Sequence, residues 1–263
     1  MLQSISLDQL RSELPQAFAT APASRVSKRY TFIPTSQILT DLDTLGWKVR
    51  SITNPRYKSS GKQLHGKHLV RLFNPNIQIN AEGDKNFVEI ALYNSSDGTS
   101  KFRMEVGIFR MVCSNGLVVK SQDFGSINIR HSGYSFENLK ESIDTMVAGL
   151  PNVVQKINLF SSRILTSAEM QKLAQSAYEL RNSGRQATEE ELQSILAPRR
   201  DADKGDNLWV VFNRIQEAVL TGGSTFVDRR GRMRTAKPIR NLDKGLKLNQ
   251  ELWSLAEAFE MPA

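Results

Sequence analysis

The chain has 263 residues, 40% hydrophobic and 24% charged, with 16 Gly and 9 Pro. These proportions exclude collagen-like, low-complexity and fully disordered classes and allow one large domain or two small ones, each with a buried core. Its 35 Lys and Arg against 27 Asp and Glu give a formal charge of +8, a balance that favours polyanionic partners. No stretch reaches the ~20 consecutive apolar residues of a membrane span; even residues 106–119 are interrupted by Gly107, Arg110 and Asn115. The opening residues 1–6 lack the basic and apolar regions of a secretory signal. A cytoplasmic protein without membrane association is expected. The single Cys113 supplies neither an internal disulfide nor the thiolate set of a structural zinc site.

In chain order, a helix is expected over residues 7–18, followed by a small, Pro-containing linker at 19–24. Residues 30–34 read as extended because Ile33 precedes Pro34. A helix then starts with Thr35 as N-cap, carries Ile38, Leu39, Leu42 and Leu45 at helical spacing, and ends at Gly46. From Trp47 the period is that of strands, at 47–53, 67–73, 87–93, 101–112, 117–120 and 126–130. Asp97-Gly98 and Asn115-Gly116 suit tight hairpin turns, and such short connections force antiparallel pairing.

Beyond Ser135 the pattern is helical. An apolar stripe from Phe136 to Ile157 should kink or break at Gly149-Leu150-Pro151. Capping boxes at Thr166–Glu169 and Thr188–Glu191 start two further helices. Asp206 caps a helix carrying Trp209, Phe212 and Val219 that ends at Gly222-Gly223, and the last helix covers 248–260. Trp209 and Trp253 fall in apolar stripes and read as core; Trp47 reads as core or as a partly exposed stacking surface. The fold class is α+β, an antiparallel β-meander in the N-terminal half and helices in the C-terminal half. The expected organisation is an N-terminal helix and linker at 1–24, a basic β-rich region at 25–134, and a helical region at 135–263 with a basic loop at 227–240.

Charge is concentrated in two tracts. Between Arg25 and Arg71, ten cations stand against Asp41 and Asp43. Between Val227 and Arg240, Arg229, Arg230, Arg232, Arg234, Lys237 and Arg240 stand against Asp228. The second tract has no apolar periodicity and reads as an exposed loop, whose arginines either grip phosphates by bidentate bonds and counterion release or pair with acidic helices. In the first tract, Arg56, Tyr57, Lys58 and Lys62, with Lys67, His68 and Arg71, mix cations with an aromatic ring in a way that suits a single strand. A plain surface loop is the other reading there.

The residues for catalysis are sparse. Cys113, His65, His68 and His131 are the only thiol and imidazoles; Cys113 ends an apolar strand, and the histidines lack metal-ligand spacing. There is no G-x-x-x-x-G-K-[ST] loop and no G-x-G-x-x-G after a strand. Asp97 and Asp123 read as turn residues. No catalytic residue, metal or cofactor is assigned.

Tyr30-Thr31-Phe32-Ile33-Pro34-Thr35, Tyr93-Asn94-Ser95-Ser96-Asp97-Gly98-Thr99-Ser100, residues 107–117, Asn207-Leu208-Trp209 with Arg214-Ile215-Gln216-Glu217, and residues 248–253 together resemble the YfjQ/YafZ-like family of phage, prophage and plasmid proteins. That family carries a domain of unknown function. The resemblance covers about residues 25–259 and implies a mobile-element setting, with no activity to transfer. A looser similarity to phage single-strand annealing proteins of the Red-beta and RecT kind rests on a helix into Gly-Trp, a β-meander and a long helix on a basic chain; it implies self-assembly into homo-oligomers. The expected function is non-enzymatic nucleic-acid binding, with single-stranded DNA as partner, in recombination, replication or maintenance. The alternative is an interaction protein that inhibits a host defence factor.

Overall fold

The computed structural model describes residues 4–27, 30–55, 57, 60–81, 84–100, 102–110, 116–118, 134–228 and 230–260, with backbone alone at 60–62, 79–81, 84–85, 109–110 and 116–118. The expected strand at 126–130, Cys113, Asp123 and His131 lie outside the described residues. The chain divides into two units, residues 1–79, 87–108 and 121–150 in the first and 80–86, 109–120 and 151–263 in the second.

In the first unit, α1 (Leu7–Glu13) is capped by the Ser6 hydroxyl, which accepts from the Gln9 N–H at 3.2 Å. It stops earlier than expected, giving way to a 3₁₀ turn at Pro15–Phe18, because the residue before a proline avoids the α region. The helix α2 (Thr35–Thr44) has Pro34 as its N-cap, not Thr35; the Thr35 hydroxyl is engaged elsewhere, as described below. It exits through Gly46 at φ 86°, and Trp47 follows at 1% exposure.

The sheet runs β1 (Lys48–Thr53), β2 (His68–Ala81), β3 (Asp84–Asn94), β4 (Arg103–Arg110) and β5 (Gly116–Val118), in that spatial order. This is the expected meander. A short helix, α3 (Ser60–His65), occupies what reads in the sequence as loop, and β2 and β3 extend through polar residues to a hairpin longer than expected. On β3, Val88, Ile90 and Leu92 alternate with Glu89, Ala91 and Tyr93, and all six are buried, so both faces of this strand are covered.

The pairing of β1 with β2 slips between Val49 and Ser51, leaving Arg50 as a bulge. A bulge re-aims a side chain. Here Arg50 Nε lies 2.8 Å from Glu89 Oε2, and Arg71 from β2 donates to the other carboxylate oxygen. Glu89 is fully buried, so a three-residue charge cluster lies inside the unit.

The helix α4 (Phe136–Ser162) continues through Pro151, so of the expected kink or break, the break does not occur. Leu150, Val153, Ile157 and Phe160 are all buried, and this apolar stripe outweighs one lost backbone bond.

In the second unit, α5 (Ser167–Arg181) and α6 (Glu189–Leu196) both begin with complete capping boxes, at Thr166/Glu169 and Thr188/Glu191. The helix α7 (Leu208–Thr221) is capped by Asn207, whose side chain accepts from the Val210 N–H at 2.8 Å, one residue later than expected. The last helix, α8 (Leu242–Glu257), starts earlier than expected because Asn241 caps it. Trp253 packs at the centre, 5.3 Å from Phe160 and 6.1 Å from Phe212 between ring centres. No described helix is long and apolar enough to cross a membrane.

Candidate functional site

The basic tract at 227–240 is only in part an irregular loop, at residues 236–240. It forms a hairpin of β6 (Thr225–Val227) and β7 (Met233–Thr235), with Phe226 opposite Arg234. The fold-back is organised by Asp228, whose carboxylate accepts from the N–H groups of Arg230 at 2.8 Å and Arg232 at 3.0 Å, and from the side chains of Arg232 and Arg234. Those contacts, the Arg232 N–H first, hold its carboxyl down at about 2. Gly231 supplies the positive φ of 72° that the turn requires.

The base of the hairpin is fixed to the helices. A Cβ on Gly222, at φ 79°, would lie 2.2 Å from the Ala236 carbonyl oxygen, so only glycine permits this approach. On β6, the Thr225 N–H donates to Ser194 Oγ at 2.8 Å and the Val227 N–H to Glu191 Oε1 at 3.2 Å. Glu191 thereby serves a helix start and a strand edge together.

Most of the expected site cations in this hairpin and on the segment that follows it are exposed. Among the described residues Arg230, Lys237 and Arg240 have no carboxylate partner, while Arg232 and Arg234 share Asp228. Arg229 lies outside the described residues. Behind the hairpin is a cavity of about 690 Å³ with Tyr178, Ile195, Val219 and Phe226 in its wall. Arg181, Arg185, Arg234 and Lys237 also line it. Sequence reasoning missed Arg181 and Arg185, since they lie on and just after α5, far upstream of the basic tract and without a charge run around them. Arg185 is matched: it forms an ion pair with Glu191 at 2.9 Å and lies 5.2 Å over the Tyr178 ring.

The first tract is placed differently. Arg25 pairs with Asp97 at 2.6 Å, Lys48 with Asp43 at 2.6 Å, and Arg50 and Arg71 with buried Glu89. Arg71 is thus committed to the interior and is not a phosphate contact in this arrangement. His68 is 1% exposed, which overturns the surface role expected of it. Its Nδ1 lies 3.1 Å from the Gly66 carbonyl and its Nε2 2.9 Å from Thr35 Oγ1, which in turn accepts from Asn94 Nδ2. Donation from Nδ1 to a carbonyl leaves Nε2 as acceptor, a neutral ring, and burial pushes its pKa down to about 4.

Tyr57 is half-buried, with its hydroxyl donating to the Lys67 carbonyl at 2.8 Å. Trp47, being buried, offers no stacking face. Arg56 and Lys58 lie outside the described residues, and for Lys62 only the backbone is described. His65 Nδ1 lies 2.9 Å from Ser96 Oγ, and Asp97 accepts from the Thr99 N–H and hydroxyl, as a turn residue does. Among the described residues no group of three His, Cys, Asp or Glu could hold a metal ion.

The molecule is therefore an α+β protein with an antiparallel meander, a helical second half and a cationic hairpin beside a partly apolar cavity. Its residues 22–253 match the family model described as "Domain of unknown function (DUF932)". The chain belongs to this DUF932 family. It is similar to the UPF0380 protein YafZ of Escherichia coli K12, at 32% identity over 97% of this chain and 91% of that protein. It is also similar to the UPF0380 protein YfjQ of the same strain, at 32% identity over 96% of this chain and 90% of that protein. No solved structure matches it.

Proposed function

We propose that this chain binds nucleic acid through the β6–β7 hairpin, with single-stranded DNA preferred, and does so without catalysing a reaction. The observation that carries this reading is the set of exposed cations without acid partners among the described residues, Arg230 in the hairpin turn and Lys237 and Arg240 on the segment that leaves β7. A cluster of like charges repels itself, and phosphates relieve that repulsion while releasing counterions. The setting that goes with this reading is recombination, replication or maintenance of a mobile element.

The test is fluorescence-anisotropy binding of labelled single-stranded and duplex DNA of equal length at ~50 and ~200 mM salt, the range over which phosphate contacts are most visible. Salt-sensitive binding that favours the single strand is expected. The combined variant Arg230→Gln, Lys237→Gln, Arg240→Gln should lower the magnitude of the salt slope by roughly 2 for three contacts on a single strand. An unchanged slope removes the hairpin from the interface. No binding at either salt turns the reading towards a protein partner, with capture of host proteins as the next experiment.

A further inference from the structure

The cavity behind the hairpin has two kinds of wall. Ile195, Ala218 and Val219 are buried apolar residues, and Phe226 is a half-exposed ring. Its volume of about 690 Å³ falls in the range of small-ligand sites, which combine apolar walls with a few placed polar groups. All of its lining residues lie in the second unit.

The cations differ in what already neutralises them. Arg185 is matched by Glu191 and Arg234 shares Asp228. Arg181 has no carboxylate partner among the described residues; it donates to the carbonyl oxygens of Val219 and, at 2.6 Å, of Lys237. Carbonyls orient a guanidinium without cancelling its charge, and its partial burial lowers its pKa. Lys237 likewise has no acid partner among the described residues. An anion at this rim would supply the missing countercharge.

Inorganic phosphate alone would leave the apolar wall unused, and an uncharged apolar molecule would strip water from two unmatched cations. A nucleoside phosphate uses both. We propose that the cavity receives one unstacked nucleotide of a bound strand, its base against Phe226, Ile195 and Val219 and its phosphate at Arg181 and Lys237. This rests on the reading of the hairpin as the nucleic-acid contact, and it gives single-strand preference a cause. A paired base must be unstacked and extruded to enter, at a cost of a few kcal/mol that a single strand largely avoids.

The experiment compares an oligothymidylate with an abasic sugar-phosphate strand of equal length, binding each to the wild-type chain and to Thr235→Trp. Thr235 is exposed on β7 and lines the cavity, so a large ring there closes the mouth without entering the core. The abasic strand should bind the wild type about tenfold more weakly at an unchanged salt slope, the loss of one stacked base. Thr235→Trp should bind oligothymidylate that much more weakly and leave the abasic strand unaffected. Equal binding of the two strands by the wild type overturns the cavity proposal and leaves the hairpin reading standing.

If neither strand binds, the hairpin reading fails and the cavity is judged by calorimetric titration with thymidine monophosphate and with inorganic phosphate. Saturable heat with the nucleotide, abolished in Thr235→Trp and absent with phosphate, supports a nucleotide site for free ligand. No such heat overturns it.

Discussion

Arg50 and Arg71 of the first unit converge on Glu89, which is fully buried, whereas Arg230, Lys237 and Arg240 of the second unit are exposed and have no acid partner among the described residues. Both groups belong to tracts in which cations far outnumber acids, ten against two in the first and six against one in the second. Their roles part because β3 carries an acid beneath the first pair, while the only acid in the second tract, Asp228, is engaged by the turn, Arg232 and Arg234. Local net charge therefore says how many cations must be neutralised. Whether the protein itself does so is decided by residues distant in sequence.

The strongest way to break this comparison is Glu89→Ala. Removing the carboxylate leaves two largely buried guanidiniums unmatched, and a loss of about 3–5 kcal/mol in denaturant unfolding is expected. A loss below about 1 kcal/mol would place the cluster with surface ion pairs.

Next is the buried histidine of the first unit. Because the folded ring titrates near 4 against 6.5 when exposed, the unfolded chain binds a proton in this interval that the folded chain does not. Stability should thus be full above about pH 6.5 and decline towards pH 4, by up to about 3 kcal/mol from this group. Urea midpoints across that range should fall more steeply for wild type than for His68→Gln, and parallel profiles would assign the decline to other groups.

Within the second unit, Gly222→Ala puts a methyl against the Ala236 carbonyl at a positive φ. We expect about 2 kcal/mol of destabilisation, and faster hydrogen exchange at the amides of Gly223 and Ala236. The smallest effect belongs to the hairpin cations. The triple glutamine variant at Arg230, Lys237 and Arg240 should change stability by no more than about 0.5 kcal/mol while it weakens binding to DNA. Large destabilisation there would mean that these residues hold the fold as Arg50 and Arg71 do.

Much of the fold was legible where the signal is local. Both capping boxes, the exit at Gly46, the glycine end of α7 and the order of the meander follow from residues a few positions apart. The misread elements depend on distant partners. The hairpin strands β6 and β7 are three residues each and lack alternation, and β6 is held by Ser194 and Glu191 on α6. Pro151 stays helical because of packing along α4. The site was half legible: charge runs pointed to the hairpin, but Arg181 and Arg185 enter it from the end of α5, and the parity of β2 turns Arg71 inward.

Glu191 gathers several of these dependences. Its carboxylate accepts from the Thr188 N–H at 2.9 Å, from Arg185 at 2.9 Å and from the Val227 N–H at 3.2 Å, and the residue is 2% exposed. One side chain thus closes a helix start, neutralises a cavity arginine and receives a strand edge. Such a position is a bottleneck for variation: replacing Glu191 would require coordinated changes both in the segment 185–188 that leads into α6 and at the edge of β6.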